Sequence, residues 1–357
     1  MDQHSLYKRV LAVLDHYAPP GEKILVALSG GPDSVALLRV LARAGRWTLG
    51  AAHLNHGYRG EDARHDQAFS RELARGLGLE FHETEVDVQK MARERRSSLE
   101  EAGRHARYEF FDTLAAREGY TLLATGHHRD DHVEQVLLNL LRGTGPGGLT
   151  GIQPLRTGVC SLPVIRPLIR ISKPEILVFL ESLGQDFCLD ATNADPGFRR
   201  NAVREHLLPL LESRYNPRIR EQLDRLSRIL SREDDFLNQE TQRAFDACSH
   251  RDGTGISLSL SSLNCYHGAL VPRVLRMGLE QVKSDLRRIT HTHIRDIEKL
   301  ITRGSPGKHL DLPGRIRVYR RRDRICIRRE ALPLRELGAR EKQRKNALKR
   351  ADKARKT

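Results

Sequence analysis

The sequence predicts an α/β fold, a parallel sheet with helices on both faces, followed by a helical extension and a smaller α+β domain. Three observations carry that reading. From Lys23 to about Leu183, short apolar runs alternate with longer amphipathic ones, which is the strand–helix–strand signature of a parallel sheet. Past Phe187 the alternation gives way to one long helical stretch and then to shorter mixed elements. A chain of 357 residues with 39% apolar content is also too long for one ordinary domain and rich enough to bury a sizeable core.

Taken in order, strands are expected at 24–28 (ILVAL), 49–54 (LGAAHL), 79–86 (LEFHETEV) and 121–125 (TLLAT), with helices at 34–44, 63–77 and 99–118 between them. Connections should be right-handed, and ligands should sit beyond the carboxyl ends of the strands. The stretch 190–198 is turn-rich, and a helical run from 199 continues, with a break at Asn216-Pro217, to about Phe245. The polar, glycine-containing stretch 249–255 reads as a linker. Helices near 265–282 and 292–302 follow, then strands at 308–312, 315–320 and 324–328. The expected domains are a nucleotide-binding domain at 1–186, a helical extension at 187–248, a small α+β domain at 249–330 and a basic tail at 331–357. There is no internal repeat.

The formal charge is +15. A chain this basic usually meets a polyanion, and with no amphipathic anchor evident, nucleic acid leads. No run approaches the roughly 18 to 20 apolar residues of a membrane span. The first residues, MDQHSLYKRVLAVLDHYAPPGEK, lack the layout of a signal peptide. The five cysteines are far apart, odd in number and without CxxC, which argues against a disulfide framework or structural zinc and for a reducing cytoplasm.

The turn Ser29-Gly30-Gly31-Pro32-Asp33-Ser34 joins the first strand to a helix. Such a turn leaves backbone N–H groups and the positive end of a helix facing one point. Gly30 and Gly31 permit backbone angles and close approach that a Cβ would block. Pro32 suits the first helical turn, where its missing N–H is no loss. Ser29 and Ser34 offer hydroxyls to a phosphate, and Asp33 is a candidate Mg²⁺ ligand at a pyrophosphate. The turn reads as an anion cradle. It is neither the GxxxxGK[ST] loop nor the dinucleotide GxGxxG. It resembles the PP-loop, SGGxDS, of the ATP pyrophosphatases, whose adenine nucleotide α-hydrolase-like fold would be that of the first domain. Those enzymes split ATP between the α and β phosphates.

Three further stretches narrow the resemblance: His53-Leu54-Asn55-His56-Gly57-Tyr58-Arg59-Gly60, Glu100-Glu101-Ala102-Gly103-Arg104-His105-Ala106-Arg107-Tyr108, and 124–135 (ATGHHRDDHVEQ) with Leu141-Arg142-Gly143. With Asp190-Ala191-Thr192-Asn193, Arg200-Asn201-Ala202-Val203-Arg204 and Leu208-Pro209-Leu210, they resemble the tRNA(Ile)-lysidine synthetase family from about Lys23 to Phe245. The likeness extends more loosely to about Arg329. Gly103, His132, Gln135 and Phe198 depart from the usual pattern without removing a charge assigned to catalysis. Longer members carry further C-terminal domains, where this chain has only a basic tail. The resemblance implies ligation of lysine to the wobble cytidine of a CAU-anticodon isoleucine tRNA, through an adenylated cytidine. ATP and Mg²⁺ would be the cofactors, and AMP and pyrophosphate the products. Decoding would switch from AUG to AUA, and aminoacylation from methionine to isoleucine. A homodimer is compatible with the sequence.

Against that chemistry, Ser29, Gly30, Gly31, Pro32, Asp33, Ser34 and His53 are expected to bind the nucleotide, with Asp33 also on the metal. Asp33, Arg104, His127, Asp131 and Glu134 are the expected catalytic residues. Asp131 and Glu134 lie three apart on one helix face. With Asp130 they suit Mg²⁺ or the substrate's cations, and the resemblance favours lysine and nucleotide contacts; acids satisfying a helix start are the plainer alternative. Arg104 and Arg107 share a face that suits the α-phosphate or the lysine carboxylate, against surface pairing with Glu100 and Glu101. His127 ends a strand where it could contact phosphate or relay a proton, whereas His128 and His132 read as packed or solvated. Arg200, Asn201 and Arg204 are expected to contact tRNA. The nearest rival, a tRNA thiolase on the same loop, commonly needs sulfur-carrying or cluster-binding cysteines, and the absence of CxxC counts against it. A small-molecule synthetase would not need +15. An idle RNA-binding protein is opposed by the intact SGGPDS and HHRDD blocks.

Overall fold

The computed structural model describes residues 3–57, 61–188, 199–253, 255–333 and 336–337. The chain divides into two compact units, Met1–Ser231 and Arg232–Thr357. The first runs α1 (Gln3–Tyr17), β1 (Lys23–Ala27), α2 (Pro32–Ala44), β2 (Thr48–Asn55), α3 (Glu61–Gly76), β3 (Glu80–Glu85), α4 (Val88–Arg95), α5 (Leu99–Glu118) and β4 (Leu122–Ala124). It continues through α6 (Arg129–Leu141), α7 (Pro146–Leu149), β5 (Leu155–Arg156), β6 (Val164–Ile165), α8 (Lys173–Ser182) and α9 (Arg199–Ala202). A π-helical turn (Val203–Leu207) then leads into α10 (Leu208–Arg214) and α11 (Ile219–Cys248), whose residues from Arg232 on belong to the second unit.

The sheet order is β3-β2-β1-β4-β6-β5. All pairs are parallel except β5 with β6. Strand β1 shows why both faces are covered: Ile24 and Val26 join one core, with α1, α2 and α8 residues such as Leu14, Leu37 and Phe179. Leu25, pointing the other way, joins Phe111, Leu114 and Leu123. A strand buried on both sides reads as a continuous apolar run, which is what ILVAL is. The four expected strands and the helix at 99–118 are present at nearly their expected bounds. The two-residue strands β5 and β6, and helices α1, α4 and α8, are additions to the expected set. The break at Asn216-Pro217 falls between α10 and α11 as expected.

The second unit holds the antiparallel sheet β7-β8-β11-β10-β9. Its strands are β7 (Ser249–Asp252), β8 (Gly255–Ser259), β9 (His309–Leu312), β10 (Ile316–Arg320) and β11 (Arg324–Arg329), with helices α12 (Leu260–Cys265), α13 (Val271–Lys283) and α14 (His291–Arg303). Leu258, Val318, Ile325 and Ile327 meet Leu275, Leu279 and Ile297 in its core. The stretch 249–255, expected to be a linker, is instead largely the strand β7, which pairs antiparallel with β8. Its polar composition belongs to an edge strand, three of whose four residues are exposed. The basic tail lies outside the described residues apart from 331–333 and 336–337.

Candidate active site

Strand β1 is flanked by β2 on one side and β4 on the other, so helices leave the sheet in opposite directions around it, the usual place for a ligand crevice. A cleft of about 770 Å³ lies there. The turn after β1 lines it with Ser29, Gly31, Pro32, Asp33 and Ser34. The ends of β2 and β4 add His53, Asn55, Gly126 and His127, and the helices contribute Arg107, Asp131, Lys173 and Arg200.

The turn is held closed by its own hydroxyls. Ser34 Oγ accepts from the Ser29 N–H at 3.1 Å and donates to the Gly31 carbonyl at 2.9 Å, while Ser29 Oγ lies 3.1 Å from it. Gly30 has φ +86°, and a Cβ there would lie 3.3 Å from Ser70 Oγ and 3.4 Å from Cys188 Sγ. The conformational demand therefore falls on Gly30; Gly31, at φ −71°, has an ordinary extended backbone. Gly31 matters as the N-cap of α2, because it supplies no capping side chain. The first-turn amides of Asp33 and Ser34 thus meet the cleft uncapped, with Pro32 costing nothing at N1. At Gly126 a Cβ would stand 3.0 Å from Asp33 C and Ser34 N. Gly126→Ala should push the start of α2 out of line and raise the KM for ATP about tenfold; steady-state titration with ATP checks it.

The acid–base groups are coupled to one another. Asp33 Oδ1 pairs with Lys173 Nζ at 2.6 Å. His128 is 5% exposed and caps α6, its Nδ1 accepting from the Asp130 N–H at 3.2 Å. In the neutral ring the proton therefore sits on Nε2, which faces Asp33 Oδ2 at 3.8 Å and Asp131 Oδ2 at 3.6 Å. Burial opposes a charge on His128, but Asp130, Asp131 and Asp33 together outweigh it and raise its pKa. Burial likewise works against the charged form of Asp131, yet His128 and Arg200 hold its carboxyl below the usual range. His127 goes the other way: burial, aided by Arg166, Arg200 and Arg107 against Asp131, pushes it down to about 4. It is neutral at physiological pH, with Nδ1 2.9 Å from Thr125 Oγ1. His53 donates from Nδ1 to the Leu28 carbonyl at 2.9 Å, and burial lowers its pKa too.

Glu134 is 1% exposed and lies outside the cleft lining. It accepts from Arg200 Nε at 2.7 Å, Arg204 Nε at 2.6 Å and Arg204 Nη2 at 3.0 Å. Arg200 Nη2 also reaches Asp131 Oδ1 at 3.0 Å. Glu134, expected from the sequence to meet substrate, thus holds two arginines. Of the arginine pair on α5, Arg107 lines the cleft and donates to His56 Nε2 at 3.3 Å. Arg104 is exposed and lies over the Tyr108 ring at 5.5 Å. Gly30, Asn201 and Arg204 are not among the lining residues. Sequence reasoning missed Lys173 and the capping role of His128. Lys173 follows Ser172, the start of an S-x-x-E capping box with Glu175, a signal that marks the helix but not its partner.

Residues 3–211 match the family model described as the PP-loop domain, and residues 258–326 match the TilS substrate binding domain. The tRNA(Ile)-lysidine synthase of Clostridioides difficile (strain 630) is 32% identical over 92% of this chain and 71% of its own length. This chain belongs to the tRNA(Ile)-lysidine synthase family. The lysidine synthase of Bacteroides thetaiotaomicron is 42% identical over 63% of this chain, which spans 52% of that relative. The U34-tRNA thiolase NcsA from Methanococcus maripaludis, a solved structure with a [4Fe-4S] cluster, shares the fold at 18% identity. Its TM-score is 0.53 over 64% of this chain and 79% of that one. As a lysidine synthase family member the chain is an ATP-using PP-loop ligase acting on tRNA(Ile). Two family-like stretches, Tyr58-Arg59-Gly60 and 190–193, lie outside the described residues. Among the described residues no helix is long and apolar enough to cross a membrane.

Proposed function

We propose that this family member ligates lysine to the wobble cytidine of the CAU-anticodon isoleucine tRNA in the cytoplasm, through an adenylated cytidine, with Mg²⁺ carried on ATP. The observation that supports it most is that the phosphate cradle and the Asp131–Arg200 pair line the same cleft of about 770 Å³, a nucleotide-sized volume.

ATP lies with its phosphates along the first-turn amides of α2 and the turn Ser29–Ser34, and His53 closes the nucleotide side. The residues fit a magnesium ion, since one arriving on a triphosphate needs only one or two protein carboxylates. Asp33 would hold it through Oδ2, its Oδ1 being paired with Lys173. Bound there, Mg²⁺ would neutralise charge gathering on the leaving pyrophosphate.

The cytidine carbonyl oxygen attacks the α-phosphorus and pyrophosphate leaves. The lysine ε-amine, having lost a proton, attacks the activated ring carbon, and AMP departs with the former carbonyl oxygen. Asp131 faces the amine. Neutral His127 does not repel an ammonium, and with its pKa held down to about 4 it does not keep the proton, which passes to solvent. Arg107 assumes the part expected of Arg104, meeting the α-phosphate or the lysine carboxylate. Glu134 fixes Arg200 and Arg204, which with Asn201 face the tRNA.

The direct test uses purified protein, ATP, Mg²⁺, radiolabelled lysine and a transcript of the isoleucine tRNA, with retention of labelled RNA on a filter. Label is expected on the RNA and should vanish when the wobble cytidine becomes uridine. Tight tRNA binding without label would overturn the reading in favour of a thiolase or a binding protein. Residues 335–357 hold ten basic against three acidic side chains. Deleting them should weaken tRNA binding and flatten the slope of log K against log salt by about 0.7 to 0.9 per lost phosphate contact; an unchanged slope would make the tail a bystander.

A further inference from the structure

At the rim of the cleft, three donors of different chemistry converge: His65 and Asp66 from α3, and Cys188 from the segment that follows α8. One ligand atom from each lies within 4.8 Å of the others. We propose that His65, Asp66 and Cys188 form a site for a thiophilic divalent cation of the zinc class, distinct from the magnesium position at Asp33.

The donor set argues for that class. Thiolate, imidazole and carboxylate together suit zinc and its neighbours, whereas magnesium avoids sulfur. In tetrahedral coordination, with Zn–S near 2.3 Å and Zn–N near 2.0 Å, adjacent donors stand about 3.5 Å apart. Cys188 Sγ and His65 Nδ1 are 4.0 Å apart, so a closure of about half an ångström brings them to bonding geometry. His65 is exposed and free to rotate by that much, while Cys188 is buried at 8% exposure. Three protein donors leave a fourth position for water or for a group entering from the cleft.

A second observation points to the same place. Ser70, one helical turn after Asp66, is fully buried, and among the described residues its Oγ has no hydrogen-bond partner. That oxygen and Cys188 Sγ flank the same point, 3.3 and 3.4 Å from where a Gly30 Cβ would be. Ser70 thus leaves an unused hydroxyl donor in the neighbourhood of Cys188, where outer partners orient metal ligands. The site is also tied to the phosphate cradle, because the Cys188 N–H donates to the Gly30 carbonyl at 2.9 Å.

The test uses the full chain, stripped of metal and titrated with Co²⁺, then with Zn²⁺, while thiolate-to-cobalt charge-transfer absorption is followed. One Co²⁺ per chain with that band, displaced by Zn²⁺, is expected. The band should disappear in Cys188→Ser, and Co²⁺ affinity should fall at least about tenfold in His65→Ala. Absence of the band, its persistence in Cys188→Ser, or unchanged affinity in His65→Ala would each overturn the site. Should Cys188→Ser fail to fold, His65→Ala decides, since its side chain is exposed. None of these readouts depends on lysine transfer, so the proposal stands or falls apart from the proposed reaction.

Discussion

Asp33→Ala should abolish pyrophosphate release, by about 10²–10³-fold or more, while leaving tRNA affinity almost unchanged. Asp33 is the carboxylate in the first turn of α2, and in the proposed reaction it stands where charge builds on the leaving group. Its removal also frees Lys173 Nζ, which lies 2.6 Å from Oδ1, and leaves His128 facing only Asp130 and Asp131. Those two effects are separable. Lys173→Ala releases Asp33 from its partner without touching the carboxylate, so a purely tethering Lys173 gives a modest change in turnover. A collapse equal to that of Asp33→Ala would mean that the ammonium itself meets phosphate. Pyrophosphate release coupled to a colour reaction reads the first step, and filter binding reads tRNA. A large loss of tRNA affinity in Asp33→Ala would sink the placement of Asp33 at the metal.

The cradle was legible because its chemistry is local. An apolar strand, a turn demanding φ > 0 at Gly30 and a proline at the first helical position all fall within ten residues, and each constrains the same backbone. The parallel sheet was legible for a related reason, since β1, β2 and β4 are buried on both faces. Strands β5 and β6 were not, because two-residue pairs carry no periodicity. Strand β7 was misread because an edge strand facing solvent has the composition of a linker. Side-chain partnerships were the hardest to read. Arg104 and Arg107 are three apart, and helical spacing alone puts them on one face without saying which reaches the cleft. Lys173 meets Asp33 across 140 positions, and Glu134 meets Arg204 across 70. No local pattern encodes either contact; helix packing creates both, α8 against α2 and the π-helical turn against α6. The sequence therefore names these residues without naming their partners.

Glu134→Ala tests one of these partnerships. With Glu134 gone, Arg200 and Arg204 lose a carboxylate that accepts three hydrogen bonds from them. Breaking a buried pair from one side costs about 3–5 kcal/mol. Here the arginine side chains are 36% and 33% exposed, so water recovers part of the loss and a figure near 2 kcal/mol is expected. For a unit of this size that lowers the melting temperature by roughly 4–8 °C, which scanning calorimetry resolves. Turnover should fall as well, because Arg200 then loses its hold beside Asp131. A direct lysine ligand would behave differently: Glu134→Gln would raise the KM for lysine alone and leave the melting temperature untouched. A positioning carboxylate instead predicts that Glu134→Gln, which keeps one acceptor oxygen, lies between wild type and Glu134→Ala in both stability and turnover. It also predicts that Arg204→Ala costs little more once Glu134 is absent, since the two share one interaction. An unchanged melting temperature in Glu134→Ala, with lysine KM alone affected, would return Glu134 to the substrate and leave the arginines to find their own support.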